Sequence, residues 1–201
     1  DGVSLQTACQ TRSGELWVGT VRDGLFECGS SVVQQFSERD GLSDSAIEVL
    51  CGDGDGGLWI GTRNGGLHHF KARKITRFNT PWGFQGTYAC ALEPDAQGGL
   101  WIGTSGDGLF RLRDGKFTGY TVASGLPSDQ ILTLHADESD SLWVGTDKGL
   151  CRVRDGRVAT FGGGNGLPEE ATLQLDSDRE GNLWVGSGSR IFRLHKEELN
   201  A

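Results

Sequence analysis

Five side chains able to ligate metals recur on one beat. Cys9, Cys51, Glu93, His135 and Asp176 each stand eight residues before a tryptophan. Thiolate, imidazole and carboxylate suit zinc and other first-row metals. Equivalent positions of a repeat lie around a circle, however, and need not converge on one ion. End-of-strand variation is the plainer reading, and no metal is expected there. A second candidate is the acidic stretch DSDREGN at 176–182. Asp176 and Asp178 are spaced like the start of a calcium loop, and Gly181 fits its turn. The closing Glu of such a loop is missing, with Ser187 in its place. Asp and Gly also simply build hairpin turns. His68 and His69 are adjacent in a strand-like run and therefore point to opposite faces, which argues against a shared metal. No GxSxG, HExxH or Walker sequence occurs, so the chain is read as non-enzymatic, with a lyase or hydrolase as the weakest alternative.

The elements that would carry these residues come from a repeat. The phrases LWVGT (16–20), LWIGT (58–62), LWIGT (100–104), LWVGT (142–146) and LWVGS (183–187) place Trp17, Trp59, Trp101 and Trp143 at intervals of 42 residues, and Trp184 after 41. Phe36, Phe78, Tyr120 and Phe161 keep the same beat, as do Gly41, Gly83, Gly125 and Gly166. Each unit reads as an apolar strand, an Asp/Gly turn, the tryptophan strand, a tight glycine turn, a third strand, and a hairpin into a fourth. Repeats of this length with four antiparallel strands predict an all-β fold, a β-propeller of about five blades. The unit boundaries fall near 1–39, 40–81, 82–123, 124–164 and 165–201. The last unit stops after its third strand, so a fragment of a larger ring is expected, with a compact five-bladed ring as the competitor. The five phrase tryptophans are expected to be buried between blades.

The pattern G-x-LWIGT-x-x-GL, then an aromatic, then GLP resembles the two-component regulator propeller repeat. Residues 98–134, GGLWIGTSGDGLFRLRDGKFTGYTVASGLPSDQILTL, carry it most fully. The resemblance implies an extracytoplasmic or periplasmic sensor region ahead of a membrane span and a histidine kinase or diguanylate cyclase. It implies ring closure with seven blades and glycan-fragment ligands. Neither output module is in this sequence, so a membrane or a homodimer would come through a fused remainder. An interaction scaffold, gripping a partner protein or another propeller, is the alternative.

On such a scaffold the second-to-third strand turns and the loops before each first strand share one face. Their residues vary while the frame does not, which is where binding is usually built. The candidates are Arg22, Arg63, Asn64, Asp107, Lys148 and Arg190. The stretch FNTPWGFQGTY (78–88) adds Trp82 and Phe84. Trp82 stands where the sister units have Asp40, Ser124 and Asn165, and Phe84 replaces the Leu of a shared GL pair. Pro81 stiffens the approach, which lowers the entropy lost on binding. An aromatic on a fixed loop can stack on the apolar face of a sugar, so a small molecule or oligosaccharide is the expected partner. The competing reading makes both aromatics a plug over the next blade.

Bulk composition sets outer limits. A net charge of −8 argues against nucleic acid as a partner, because such binding needs clustered Lys and Arg. No run of 18 apolar residues exists to span a membrane. The chain has no Met, even at position 1, and is read as a segment or processed chain. Five cysteines without a CxxC pair form neither a disulfide framework nor a zinc ribbon and are expected to be mostly free thiols.

Overall fold

The computed structural model describes all residues except 1, 30, 31, 96, 138–140, 163–166, 168, 169, 189, 197, 198, 200 and 201. Asn165 and Gly166 of the repeat alignment thus lie outside the described residues. Blade one comprises β1 (Leu5–Gln10), β2 (Leu16–Thr20), β3 (Leu25–Cys28) and β4 (Val33–Phe36). Blade two has β5 (Ile47–Gly52), β6 (Leu58–Thr62), β7 (Gly66–Lys71) and β8 (Lys74–Phe78). Blade three has β9 (Ala89–Pro94), β10 (Leu100–Thr104), β11 (Leu109–Arg113) and β12 (Lys116–Tyr120). Blade four has β13 (Ile131–Ala136), β14 (Leu142–Thr146), β15 (Gly149–Arg154) and β16 (Arg157–Phe161). Among the described residues, blade five contributes β17 (Gln174–Ser177), β18 (Asn182–Ser187) and β19 (Arg190–His195). Every sheet is an antiparallel meander in chain order. The first strands pack on one another in sequence, β1 on β5, β5 on β9, β9 on β13 and β13 on β17, so they form the inner edge of the arc.

The phrase works because it has two faces. Trp17 sits in one cluster with Leu58 and Ile60 of the next blade. Trp59 packs against the cluster of Leu100 and Ile102, Trp101 lies with Leu142 and Val144, and Trp143 with Leu183 and Val185. Each tryptophan therefore covers the alternate residues of the following blade's phrase. The glycine after it makes close stacking fit. A Cβ on Gly19 would lie 2.5 Å from Ile47, one on Gly103 2.6 Å from Ile131, and one on Gly145 2.7 Å from Thr172. Burial on this scale is the main stabilising term of the fold.

One expectation fails at the last blade. Trp184 is 39% exposed, because among the described residues no further phrase lies against it. The opposite face of blade one is open too: Leu5 is 70% exposed, whereas its counterparts Ile47, Ala89 and Ile131 are fully covered.

The turns between the first and second strands share an anchor. Asp53 accepts from the Asp55 and Gly57 amides, and Asp178 from those of Glu180 and Asn182. Asp137 and Asp178 also accept the indole N–H of Trp143 and Trp184, at 3.1 and 2.9 Å. Asp95 instead holds the Arg111 guanidinium, which lies over the Trp101 ring. Blade one has Thr11 at this position, and the buried Trp17 indole N–H has no acceptor. Transplanting the blade-four pair, as the double variant Thr11→Asp and Glu15→Ser, supplies one. An unmade buried hydrogen bond costs about 1–3 kcal/mol, and a gain of about 1 kcal/mol is expected in chemical denaturation. An unchanged denaturation midpoint would mean that water already satisfies the indole.

Candidate functional site at the inner edge

The loops that carry the chain from one blade to the next are stitched to the neighbouring turns. The Gly24 amide donates to the Ser45 carbonyl, Gly66 to Thr87, and Gly108 to Asp129. Second-to-third strand turns and inter-blade loops therefore share one face, as the repeat predicts. Three of these loops begin with a 3-10 turn closed by a left-handed glycine: Gly41, Gly83 and Gly125. The residue after that glycine plugs the next blade. Leu42, Phe84 and Leu126 all fill this role and are buried.

That register corrects the expectation for Phe84. It is 1% exposed, packed against Phe110 and Phe117, and is not a ligand contact. Trp82, one turn earlier, projects out with 55% of its surface open. Its ring touches Phe78, the last residue of the outer strand β8. Trp82 thus lies on the predicted face, but toward the outer rim.

At the inner edge a different set converges. The first strand of each of the first four blades breaks register by one residue near its start. The extra residues are Gln6, Glu48, Cys90 and Leu132. A bulge re-aims its side chain and tightens local twist. Here it brings side chains from three blades together. The Gln6 amide donates to Glu48 at 3.2 Å across blades one and two. Arg63 donates to Glu48 through Nε at 2.7 Å and reaches the same oxygen with Nη2 at 2.6 Å. Tyr88 lies against the Arg63 guanidinium, and burial raises its pKa. Cys90 feels the Glu48 charge, though burial is the larger cause of its rise to about 11. Its thiol donates to the Ile131 carbonyl at 3.2 Å, so it is a packed hydrophobe rather than a nucleophile. Glu48 is nearly covered while Arg63 is 45% open, which leaves a guanidinium edge facing solvent beside the half-buried Tyr88.

The remaining predicted residues divide. The Asn64 backbone and side-chain amides both donate to Asp44, at 2.7 and 3.1 Å. Asp107 accepts from the Thr87 amide at 3.1 Å and hydroxyl at 3.3 Å. Both therefore brace inter-blade loops. Arg22, Lys148 and Arg190 are exposed turn or strand-end residues. Of the six predicted turn residues, only Arg63 joins the inner cluster. Sequence reasoning missed Gln6, Glu48, Tyr88 and Cys90. The column Gln6, Glu48, Cys90, Leu132 keeps the 42-residue beat and varies in character, which was the available signal.

The far ends of the same strands hold the other column. Glu93 accepts from the Ala136 amide at 3.0 Å, and His135 bonds the Ser177 hydroxyl at 2.8 Å, each reaching into the next blade. Cys9 packs in the core between blades one and two, Cys51 in that between two and three, and all five cysteines are unpaired. Among the described residues no three His, Cys, Asp or Glu come close enough to hold a metal. Asp178 is held well below its usual pKa by hydrogen bonds from Asn182, Trp184 and Glu180. Its carboxylate faces N–H donors, as its counterparts do in other blades, while Asp176 accepts from the Ser177 amide. No helix among the described residues is long and apolar enough to cross a membrane.

Residues 41–64, 83–106 and 125–148 match the two component regulator propeller repeat. No curated protein matches the chain. Among solved structures, the chain is similar to the extracellular domain of a protein described as a hybrid two component system from B. thetaiotaomicron. That match has 21% identity and a TM-score of 0.79, and covers 92% of this chain and 27% of the other. A second B. thetaiotaomicron extracellular domain, of a one component system, matches at 22% identity and TM-score 0.78, covering 98% and 27%. Virginiamycin B lyase from Staphylococcus aureus matches at 16% identity and TM-score 0.78, covering 97% and 68%. These likenesses show the propeller fold. The chain spans about a quarter of the two B. thetaiotaomicron chains.

Proposed function

We propose that this arc of two component regulator propeller repeats is the ligand-sensing part of an extracytoplasmic signalling receptor, and that its ligand meets the face carrying Arg63 and Trp82. The observation that carries the reading is the bulge cluster. Four successive blades break register around a variable residue at the inner edge, and in blade two that residue, Glu48, holds the half-open Arg63 guanidinium. The open guanidinium edge offers donors, and the half-buried Tyr88 phenol a donor and an acceptor, to a hydroxyl-rich ligand. Trp82 offers an apolar ring farther out on the same face. A small molecule or an oligosaccharide fits that combination.

The histidines support a non-enzymatic role. His68 is fully buried, and His69 is tied to Asp53 at 2.8 Å and stacked on Trp59. The experiment is a thermal-shift screen with neutral and uronic-acid oligosaccharides. A ligand at a hundred times its Kd stabilises by about 2.7 kcal/mol. A hit is expected to weaken at least tenfold in Arg63→Ala and several-fold in Trp82→Ala, with Trp82→Ala melting like the parent. A hit unaffected by both changes, or no hit in either class, would refute the assignment.

A further inference from the structure

Three successive blades place like charges directly opposite one another. The hairpin from third to fourth strand pairs Lys71 with Lys74, Arg113 with Lys116, and Arg154 with Arg157. Paired residues of a hairpin share a face, and like charges there oppose folding. The bias is local. Residues 71–74, 113–116 and 154–157 hold seven Lys or Arg against two Asp, in a chain with 27 acidic and 19 basic residues. Ion pairing within the chain does not account for it. Lys71 reaches Asp53 and Asp55 at 3.5 Å, and Arg113 only its neighbour Asp114 at 3.9 Å. Lys74, Lys116, Arg154 and Arg157 are exposed and form no ion pair among the described residues. Arg154 also stands close enough to Arg152 to lower its pKa, after burial as the larger cause. A local rule broken at equivalent positions of three blades points to a role outside folding.

Every sheet is the same meander with its fourth strand outermost, so these hairpins share one end of the blades, opposite the face of Arg63. They form an interrupted row along the outer rim. We propose that this row binds a linear anionic polysaccharide, whose carboxylate or sulfate groups are met by the cation pairs of successive hairpins. A site repeated from unit to unit suits a partner that repeats too. Its flanks decide the partner's shape. Asp114 and Asp155 stand in the hairpin tips, Asp114 with 92% of its side chain open, and a flat anionic bilayer would meet these first. On the inner side of the same end, the first-to-second strand turns carry Asp53, Asp55, Asp95 and Asp137, which would repel a broad nucleic acid duplex. A narrow chain lies along the cations and avoids both. The row is separate from the Arg63 face and stands whether or not that face binds a ligand.

Fluorescence anisotropy with labelled polygalacturonate and labelled heparin tests this on the 201-residue chain. Binding of at least one is expected at low salt, and the tighter of the two identifies carboxylate or sulfate as the anion recognised. Neutral dextran is expected not to bind. Affinity is expected to fall about tenfold or more between about 50 and 200 mM salt, because charge pairing with a polyanion displaces its counterions. The triple variant Lys74→Gln, Lys116→Gln and Arg157→Gln is expected to lose about tenfold or more in affinity, while Arg63→Ala binds like the parent. The triple variant also relieves three like-charge pairs, so its denaturation midpoint is expected to hold or rise. A lowered midpoint would make the cations structural and overturn the proposal. So would undiminished binding in the triple variant, or no binding of either polymer at low salt. Equal or tighter binding to vesicles of anionic lipid, or to duplex DNA, would overturn the choice of a polysaccharide.

Discussion

Trp143→Ala is expected to destabilise the chain by about 3–5 kcal/mol, while Trp184→Ala costs less than about 1 kcal/mol. The two residues share a phrase and a strand position. Both indoles donate to the anchoring Asp of their blade. They differ in what lies beyond. Trp143 is 1% exposed, in a cluster with Leu150, Phe161, Leu183 and Val185, and Arg152 lies over its ring. Its removal opens a cavity between blades four and five that neither rigid sheet can close. Trp184 faces solvent, so its removal leaves no void. For a chain of this size each kcal/mol moves Tm by about 2–4 °C, which separates the two variants clearly in calorimetry. Equal losses in both would mean that the tryptophan stabilises its own blade rather than the interface.

Stability is expected to fall by up to about 3 kcal/mol between pH 6.5 and pH 4, with His68 as the largest single cause. His68 sits on β7 where the sister blades have Phe26, Phe110, Cys151 and Phe192. Its Nε2 accepts from the Ser43 amide at 3.0 Å, and the buried Nδ1 has no partner. Burial pushes its pKa down to about 4; the neighbouring Arg77 lowers it further, while Asp44 opposes. The sign follows from proton counts. Above pH 6.5 the imidazole is neutral whether folded or not, and the interaction is intact. Below that the unfolded chain takes up a proton that the folded chain refuses until about pH 4, so unfolding is favoured as pH falls. His68→Gln keeps an acceptor for the Ser43 amide and removes the titration. Its denaturation midpoint is expected to vary far less across this window. Parallel pH profiles for parent and variant would assign the acid loss elsewhere.

His68 also ties the loop between blades one and two to the face that carries Arg63. The same loop holds Asn64 through Asp44, so its acid sensitivity belongs to the region where ligand is proposed to bind.

The sequence by itself determined the blades. A 42-residue beat, a tryptophan–glycine phrase and Asp/Gly turns leave few alternatives, because each blade solves the same packing problem with the same residues. Free thiols followed too, since Cys9 and Cys51 occupy equivalent strand positions and equivalent positions face successive interfaces. Three matters were decided only in three dimensions. Phe84 and Trp82 read alike as replacements in one loop, yet the left-handed Gly83 turns one into the core and the other out. Arg63 and Arg22 occupy equivalent turns, but only Arg63 has a bulged carboxylate within reach. A bulge is a matter of pairing register, and nothing in the local alternation of Ala-Ile-Glu-Val-Leu marks Glu48 as the extra residue. Finally, Trp184 carries the same local code as Trp143 and has the opposite surroundings. Burial in a repeat fold belongs to the interface between units, and the sequence of one unit cannot specify whether a neighbour stands beyond it.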